Sequence, residues 1–546
     1  MSLRLFLNLI TLRGRIYIIH NLCMNIINKF CRAALCLSTF WFSGYAFSKS
    51  FSLEKATIED INEAFDSGAL NAEKLVSMYL KRIEAYDKKG PRINTVITLQ
   101  PNAIEIARKL DIERSESGPR SKLHGIPVVL KDLFDTYDMP TSSGFLPLKD
   151  SQPLYDATVV KRLRDAGAII FAKVNMSDWF GSPTDPKDQS SVLGRTNNPY
   201  NLELTPGGSS GGTGAALAAV FAQIGLGTET GVSIRNPTSN NSLVGLAPTR
   251  GLIPRTGMVM TSFTQERCGP MGRTVYDVAA MTDVVQGFDA EDLLTMNSPG
   301  RVPKSSYTTF LDKDGLRGAR IGIFRDLFRE GEDHEEGVSL VESAIHRMHD
   351  AGATVIDNLS IGLDLFPLLS ETRTNYYEAQ FSYDIYFRRL GPDAVIKNVD
   401  ELIEKGGTLV KESIVQGRRE IDSLMHDAEF LAKRDSQESL KAAALDLMDK
   451  YRLDALVYPF KSIPAEPHGE RHDERDNPFS SVTGLPALLV PAGYTSKENG
   501  PISVEFLGRP YSESVLFKLG YAYEQLGSVR KTPETTPPLA GEVFEY

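Results

Sequence analysis

Cysteine is nearly absent from most of this 546-residue sequence. Three of the four cysteines lie within the first 50 residues, and Cys268 is the one that follows them. A single cysteine excludes an internal disulfide in the later part of the chain, which at this length can rely on its hydrophobic core. We interpret Cys268 as a small, packed hydrophobic residue.

Acidic residues are absent from the first 50 residues, although the whole chain has 70 acidic and 60 basic residues. From Met24, which could be the true start, a short basic segment precedes an apolar run and a small-x-small pattern. This order is typical of a secretory signal peptide, and the run is shorter than the roughly 20 residues of a membrane span. We predict a signal peptide over residues 1–46, Phe47 as the mature N-terminus and export to the periplasm or medium, without stable membrane association after processing.

No basic cluster offsets the acidity of the remaining chain. Removal of residues 1–46 would take away five basic residues and no acidic one, which moves the formal net charge from -10 to about -15. We therefore expect no nucleic-acid partner. The 41% hydrophobic and 24% charged fractions are ordinary for a globular protein and exclude disordered and collagen-like classes.

Buried-strand patterns alternate with helical patterns along the chain. Residues 158–164 read as a helix and 169–173 as the buried strand that follows, the unit of a parallel sheet. Residues 128–130 predict another buried strand with Lys131 at its C-terminal end, the edge where α/β sheets bind ligands. Residues 365–450 are predominantly helical, which fits a pocket wall or cap.

Two glycine loops that carry serines, at residues 207–212 and 227–233, dominate the middle of the sequence. The small residues at 215–225 between them predict a tightly packed helix. A flexible linker is disfavoured because linkers are not normally followed by a buried helix and a second glycine loop. A phosphate loop would need a lysine after the glycines, and none is there.

Two serine-hydrolase chemistries remain for these loops. Ser209 and Ser210 each stand at the centre of Gly-x-Ser-x-Gly, the pattern of an α/β-hydrolase nucleophile elbow. The elbow needs an apolar strand directly before it, whereas residues 201–206 are short and end in proline. The alternative is a serine hydrolase in which a lysine replaces the histidine.

A metal site is a weaker possibility. His468 and His472 are four residues apart, but Glu470 is misplaced for a zinc-protease motif, and two nearby prolines indicate a loop. We predict no metal and no cofactor.

Several motifs together resemble the amidase signature family. The loop at 207–212, the segment 227–237 and the stretch 125–132 match its hallmarks in the right order, as do residues 454–459 and 483–487. The resemblance spans roughly residues 53–525. It implies one large α/β domain over residues 47–546, with a large central mixed, mostly parallel sheet flanked by helices.

The resemblance also implies a Ser-cisSer-Lys triad. Ser233 would be the nucleophile, Ser209 the bridging serine in a cis peptide and Lys131 the base. A buried lysine whose charged form is disfavoured could accept the Ser233 proton through Ser209 and return it to the leaving amine. The expected reaction is hydrolysis of a carboxylic or peptide-type amide to acid and ammonia or amine, through an acyl-enzyme on Ser233.

An oxyanion hole and supporting residues follow from the same resemblance. The hole would consist of the backbone N–H groups of Thr230, Gly231, Val232 and Ser233. Supporting roles fall to four neighbouring residues: Ser210, Gly208, Glu229 and Arg235.

The sequence departs from the family pattern at two of these positions. Val232 stands where a second glycine is usual, and Glu229 stands where Asp is common. A positive φ at Val232 would be strained, so we expect a reduced or altered substrate range. We expect Arg235 to pair with Glu229 and brace the loop.

Two alternatives remain open. The chain could be an amidotransferase A-type subunit that releases ammonia from glutamine, which the signal-like N-terminus disfavours. It could also be a catalytically impaired homologue that acts as a binding protein, which Val232 suggests. The expected partner is a small-molecule amide, and the expected assembly is a monomer or homodimer.

Overall fold

The computed structural model describes residues 49–181, 189–416, 421–470, 477–527 and 529–546. The predicted signal peptide of residues 1–46 lies outside these ranges and stays a prediction. Phe51–Phe544 form one compact unit. Among the described residues, no helix combines the length and apolarity that a membrane span requires.

The described residues contain fifteen strands, numbered in chain order. They are β1 (Ser50–Ser52), β2 (Val96–Leu99), β3 (Pro127–Lys131), β4 (Ile169–Val174), β5 (Gln189–Ser190), β6 (Gly194–Arg195), β7 (Ile224–Glu229), β8 (Val244–Ala247), β9 (Arg267–Gly272), β10 (Arg320–Phe324), β11 (Thr354–Leu359), β12 (Ala455–Pro459), β13 (Ala487–Tyr494), β14 (Pro501–Leu507) and β15 (Val543–Glu545).

The same ranges contain sixteen α-helices, besides short 3-10 turns. They are α1 (Ile58–Asp66), α2 (Ala72–Tyr86), α3 (Ala103–Ser117), α4 (Thr158–Asp165), α5 (Gly211–Ala218), α6 (Arg235–Asn240), α7 (Val275–Val285), α8 (Glu332–Asp350), α9 (Leu365–Glu371), α10 (Asn375–Arg389), α11 (Val399–Gly406), α12 (Glu412–Val415), α13 (Ile421–Met425), α14 (Ala428–Tyr451), α15 (Phe479–Thr483) and α16 (Glu513–Gln525).

Eleven of these strands form one mixed sheet in the order β11-β10-β12-β14-β13-β8-β9-β7-β3-β4-β2. Helices pack on it, among them α8 and α16 on β13 and α5 on β3 and β7. The α/β fold with a large mixed sheet and flanking helices is therefore confirmed.

The expectation of a mostly parallel sheet is wrong. Four neighbouring pairs are parallel, in the blocks β4-β3-β7 and β11-β10-β12, and six are antiparallel. Part of the reason is chain connectivity: only residues 495–500 join β13 to β14. A link this short permits an antiparallel neighbour but not the crossover that a parallel neighbour requires.

The glycine-rich region folds differently from the predicted helix over residues 215–225. Helix α5 spans Gly211–Ala218, and Val220 then adopts a positive φ of 58°. Strand β7 begins at Ile224, and all of its residues are buried. This strand lies between β3 and β9, which brings the second glycine loop to the same sheet edge as the end of β3.

Helices α9 to α14 occupy most of residues 365–451. Their apolar side chains, such as Leu369, Leu440 and Met448, pack in a core cluster with Leu456 and Tyr458 of β12. This helical region thus lies against the sheet through its own apolar core.

Candidate active site

The C-terminal ends of β3 and β7 position the predicted base. The two strands are parallel neighbours, with Leu130 paired to Leu226, so both chains leave the sheet at one edge. Lys131 ends β3 and is fully buried. Its Nζ donates a hydrogen bond of 2.9 Å to Thr228 Oγ1 of β7.

The first serine loop brings Ser209 to this lysine. The peptide bond between Gly208 and Ser209 is cis, as the family resemblance implies. Lys131 Nζ donates to Ser209 Oγ at 2.6 Å, and Trp179 Nε1 donates to the same oxygen at 3.1 Å. The Trp179 ring centroid is 4.8 Å from Lys131 Nζ. The hydroxyl of Ser209 therefore lies between an amine and an indole.

Burial makes Lys131 a usable base near neutral pH. Loss of hydration lowers the pKa of Lys131 from its usual 10.5 to about 7, although Glu266 and Glu229 act in the opposite direction. Glu266 is itself fully buried, and its burial raises the pKa of its carboxyl. At pH 7 about half of the Lys131 amines are therefore neutral and able to accept a proton.

The second glycine loop carries the predicted nucleophile. Ser233 is half-buried and lines the same cavity as Ser209. Its carbonyl accepts a hydrogen bond of 3.3 Å from the N–H of Ser210. Within the described ranges, no group hydrogen-bonds to the Ser233 hydroxyl. The two serine hydroxyls share the cavity without bonding each other directly.

Three backbone donors of this loop have no acceptor in the part of the chain that the structure describes. The N–H groups of Gly231, Val232 and Ser233 donate to no group among the described residues. The next two N–H groups, of Ile234 and Arg235, donate to the Glu229 carboxylate at 3.2 and 3.1 Å. Because buried N–H groups are nearly always paired, three consecutive free donors beside a cavity indicate room for an acceptor atom.

Val232 is not strained. Its φ is not positive, so the conformation that would penalise a β-branched residue is not present. The side chain is 9% exposed and packs against Phe460 and Leu489. A positive φ at Val232 is therefore not present, and the strain argument does not apply; the expected change in substrate range stays a prediction.

Glu229 and Arg235 form the expected pair, and it is buried. Arg235 Nε lies 3.0 Å from Glu229, while its Nη1 reaches Glu505 at 3.0 Å and its Nη2 donates to the Gly231 carbonyl at 2.9 Å. Arg267 donates to Glu229 at 2.6 Å. Burial raises the pKa of Glu229, but the two arginines outweigh it and hold that pKa below its usual value. This network fixes the loop from its inner side.

The other two supporting residues also hold the loops together. Gly208 N–H donates to Asn236 Oδ1 at 3.1 Å. Ser210 Oγ donates to the Thr228 carbonyl at 3.2 Å. Both contacts join the first serine loop to the end of β7 or the start of α6.

A cavity of about 310 Å³ opens onto these groups. Larger cavities of about 650, 510 and 470 Å³ contain none of the predicted site residues. The lining of the smaller cavity includes Ser209, Gly231, Ser233, Trp179, Arg373 and Lys411. Its volume suits a small ligand beside the serines.

Four residues at the site were not found by sequence reasoning: Thr228, Trp179, Glu266 and Arg373. Trp179 carried a signal, because the chain has two tryptophans and the other belongs to the first 50 residues. Thr228 lies in the motif at 227–237, although no role was assigned to it. No local pattern marks Glu266 or Arg373.

No cluster of three or more His, Cys, Asp or Glu side chains in the described ranges is placed to hold a metal ion. Of the two histidines considered for such a site, His472 lies outside those ranges.

The chain is similar to known proteins over most of its length. A sequence model of a family described as Amidase matches residues 74–517. A probable amidase of Arabidopsis thaliana is 32% identical over 519 residues, covering 92% of this chain and 96% of that protein. The A-type subunit of the glutamyl-tRNA(Gln) amidotransferase of Alkaliphilus metalliredigens is 33% identical, covering 88% of this chain and 99% of that protein.

Among solved structures, the native peptide amidase of Stenotrophomonas maltophilia is similar, with a TM-score of 0.79 and 33% identity. The match covers 88% of this chain and 99% of that chain.

Proposed function

The chain belongs to the Amidase family of amide-bond hydrolases, and on that premise we propose that Ser233, Ser209 and Lys131 carry out the hydrolysis. The observation that carries the proposal is the buried Lys131–Ser209 hydrogen bond of 2.6 Å, beside three free N–H groups that precede and include Ser233. A bridging hydroxyl and an anion-binding loop thus face one cavity, and the base lies buried behind the bridging hydroxyl.

The proton relay follows from the hydrogen-bonding capacity of Ser209. Its oxygen accepts from Trp179 Nε1 and, while Lys131 is charged, also from Lys131 Nζ; once the amine is neutral and accepts from Ser209, one lone pair is left for the Ser233 hydroxyl. When Lys131 is neutral, the Ser209 hydrogen points to the amine lone pair, while an amine N–H still donates to Thr228. Ser233 can then pass its proton to Ser209 as Ser209 passes its own to Lys131.

The reaction proceeds in two halves. Ser233 Oγ attacks the amide carbon, and the carbonyl oxygen becomes an oxyanion that accepts hydrogen bonds from Gly231, Val232 and Ser233. Lys131, now protonated, returns the proton through Ser209 to the leaving nitrogen, because an amine leaves poorly unless protonated. Water then attacks the acyl-enzyme by the same relay and releases the acid.

The similarity to a peptide amidase supports a carboxylic or peptide-type amide as substrate. A second candidate is release of ammonia from glutamine, which the similarity to the A-type amidotransferase protein supports. Parallel assays on a peptide amide and on free glutamine separate the two candidates, since only the second predicts glutamine as the better substrate.

The triad is tested by replacing Ser233 with alanine. We expect S233A to lose at least about 10³-fold in kcat/KM on every hydrolysed amide, because the nucleophile is removed. A fluorophosphonate should label wild type on the peptide that contains Ser233 and should not label S233A. The exposed Ser343 supplies a control, since S343A should match wild type. Retained activity in S233A, or a label on another serine, would refute the assignment.

A further inference from the structure

Arg373 lines the cavity beside Ser233 and has no bonding partner among the described residues. Within the described ranges, its guanidinium makes no hydrogen bond and no ion pair, and its Nε is buried without a partner. A half-buried arginine normally satisfies several of its five N–H groups. These donors are therefore available to a ligand in the cavity.

The guanidinium lies against the loop that is proposed to bind the oxyanion. A Cβ built on Gly231 would be 2.6 Å from Arg373 Nη2 and 3.2 Å from its Cζ. Because Gly231 has no side chain, the Arg373 guanidinium can occupy the space that a Cβ would take. A group bound to Arg373 would thus be close to the carbonyl that Ser233 attacks.

The backbone on both sides of Arg373 is held in place. Gln265 accepts from Thr374 N–H at 2.6 Å, and its own Nε2 donates to the Thr230 carbonyl at 3.3 Å. On the other side, Gln437 Nε2 donates to the Thr372 carbonyl at 2.7 Å. One glutamine thus joins the segment that carries Arg373 to the loop that carries Ser233.

The cavity lining is cationic. Arg373 and Lys411 both line it, and none of the described lining residues is Asp or Glu. Lys411 Nζ donates to the carbonyls of Asp178 and Trp179. Burial lowers the pKa of this amine, although the nearby Asp178 carboxylate acts in the opposite direction. A lining with the Arg373 guanidinium, a second basic side chain and no carboxylate among its described residues favours an anionic ligand.

We propose that Arg373 binds a carboxylate of the substrate, so that this enzyme prefers amides whose acyl or amine part carries that anionic group. This inference rests on the proposed function, because it assigns the substrate class of the same cavity. Planar guanidinium and planar carboxylate match in a two-point hydrogen bond, and such charge-assisted bonds are the stronger ones.

The test compares amides that differ in one charge. Succinamic acid and butyramide form the pair for the acyl side, and N-benzoylglycine and N-benzoylpropylamine form the pair for the amine side. We expect wild type to prefer the anionic member of one pair by about 10-fold or more in kcat/KM. In R373M the kcat/KM for the anionic amide should fall about 10- to 100-fold, while the kcat/KM for its neutral partner should stay within about threefold of the wild-type value. R373K, which keeps the charge but not the planar fork, should fall between them.

Two controls keep a negative result informative. Arg317 is 81% exposed, so R317M should match wild type on all four amides. Because the Arg373 guanidinium bonds to no described residue, R373M should keep the unfolding midpoint of wild type within about 2 °C. Succinate should protect Ser233 from fluorophosphonate in wild type and not in R373M, a readout that needs no turnover.

The inference fails if wild type prefers the neutral amide, or neither amide, in both pairs. It also fails if R373M slows both members of a pair equally, which would mean that Arg373 acts on the oxyanion loop. In either case, neutral amides would still be hydrolysed and Ser233 still labelled, so the proposed function would stand. If wild type is not labelled by the fluorophosphonate at Ser233, the proposed function itself is refuted.

Discussion

Replacement of Lys131 by methionine tests the central claim about the site. Methionine has a similar length and suits a buried position, but it cannot accept a proton. Ser209 would keep its bond from Trp179 and lose its base. We therefore expect K131M to fold and to lose about 10²- to 10⁴-fold in kcat/KM, the range of a missing general base.

The pH dependence follows from the burial of the amine. With a pKa of about 7 instead of 10.5, the neutral fraction of Lys131 at pH 7 rises from about 1 in 3,000 to about half. The kcat/KM of wild type should then fall about tenfold per pH unit below pH 7 and level off above about pH 8. K131M should show no inflection near pH 7.

The pH dependence of the free energy of unfolding is a second test of the lowered Lys131 pKa, and the direction of the change can be predicted. Between about pH 7 and 10.5, the unfolded chain binds a proton on Lys131 that the folded chain does not. The free energy of unfolding should therefore rise with pH across that window in wild type, relative to K131M. Urea unfolding of both proteins from pH 6 to 10 measures the difference.

Tryptophan fluorescence reports the same proton without turnover. Trp179 is the tryptophan that contacts Lys131, and Trp41, the other one, can be replaced by phenylalanine. The emission of W41F should titrate near pH 7 because a charged ammonium beside the indole becomes neutral. That titration should vanish in W41F/K131M.

The exposed Lys109 provides the matched control, since K109M should behave as wild type in all three assays. A wild-type profile that is flat from pH 5 to 9, or an inflection near pH 7 that survives in K131M, would refute the role of Lys131 as the base.

Two further predictions concern residues around the site and beyond it. V232G should not raise kcat/KM, because Val232 is unstrained, and faster hydrolysis by V232G would contradict this. The same substitution should lower the free energy of unfolding by about 2 to 3 kcal/mol, because the packing of Val232 on Phe460 and Leu489 is lost. Burial raises the pKa of Glu524 from 4.5 to about 8. Between about pH 4.5 and pH 8, the folded chain therefore keeps a proton on Glu524 that the unfolded chain releases. The free energy of unfolding of wild type should fall as the pH rises through this window. The amide side chain introduced in E524Q can still accept from Val275 N–H but carries no titrating proton, so its free energy of unfolding from urea titrations should not fall across this pH window. The same pH dependence of unfolding free energy in both proteins would contradict the prediction.

The sequence predicted the parts of the site that local patterns mark. A buried apolar run ending in Lys131 placed that residue at the sheet edge, because a parallel strand between helices leaves its C-terminal end facing ligands. The helical character of residues 365–450 also followed from periodicity, although nothing in that pattern indicated that Arg373 would reach Gly231. A contact between residues 142 positions apart depends on packing that local patterns do not encode.

Strand β7 shows why the small-residue composition of this region predicted a helix and a loop where the structure has a strand. Gly225 and Gly227 read as part of a small-residue helix and a loop, yet both lie inside a buried strand. A Cβ on Gly225 would be 2.8 Å from Val129 Cγ2, and one on Gly227 would be 2.9 Å from Ser210 Oγ. Glycine is required there by the close approach of β3 and the serine loop, which is a tertiary cause.

The geometry of the nucleophile loop also bears on the impaired-homologue alternative. That alternative was motivated by Val232, on the argument that a β-branched residue would be strained where the loop must turn. The φ of Val232 is not positive, its side chain packs in an apolar cluster, and no described residue accepts from its N–H. Arg235 donates to the Gly231 carbonyl and thereby fixes the peptide that carries the Val232 N–H. The substitution thus leaves a donor in place, and the physical reason for expecting an inactive scaffold no longer applies.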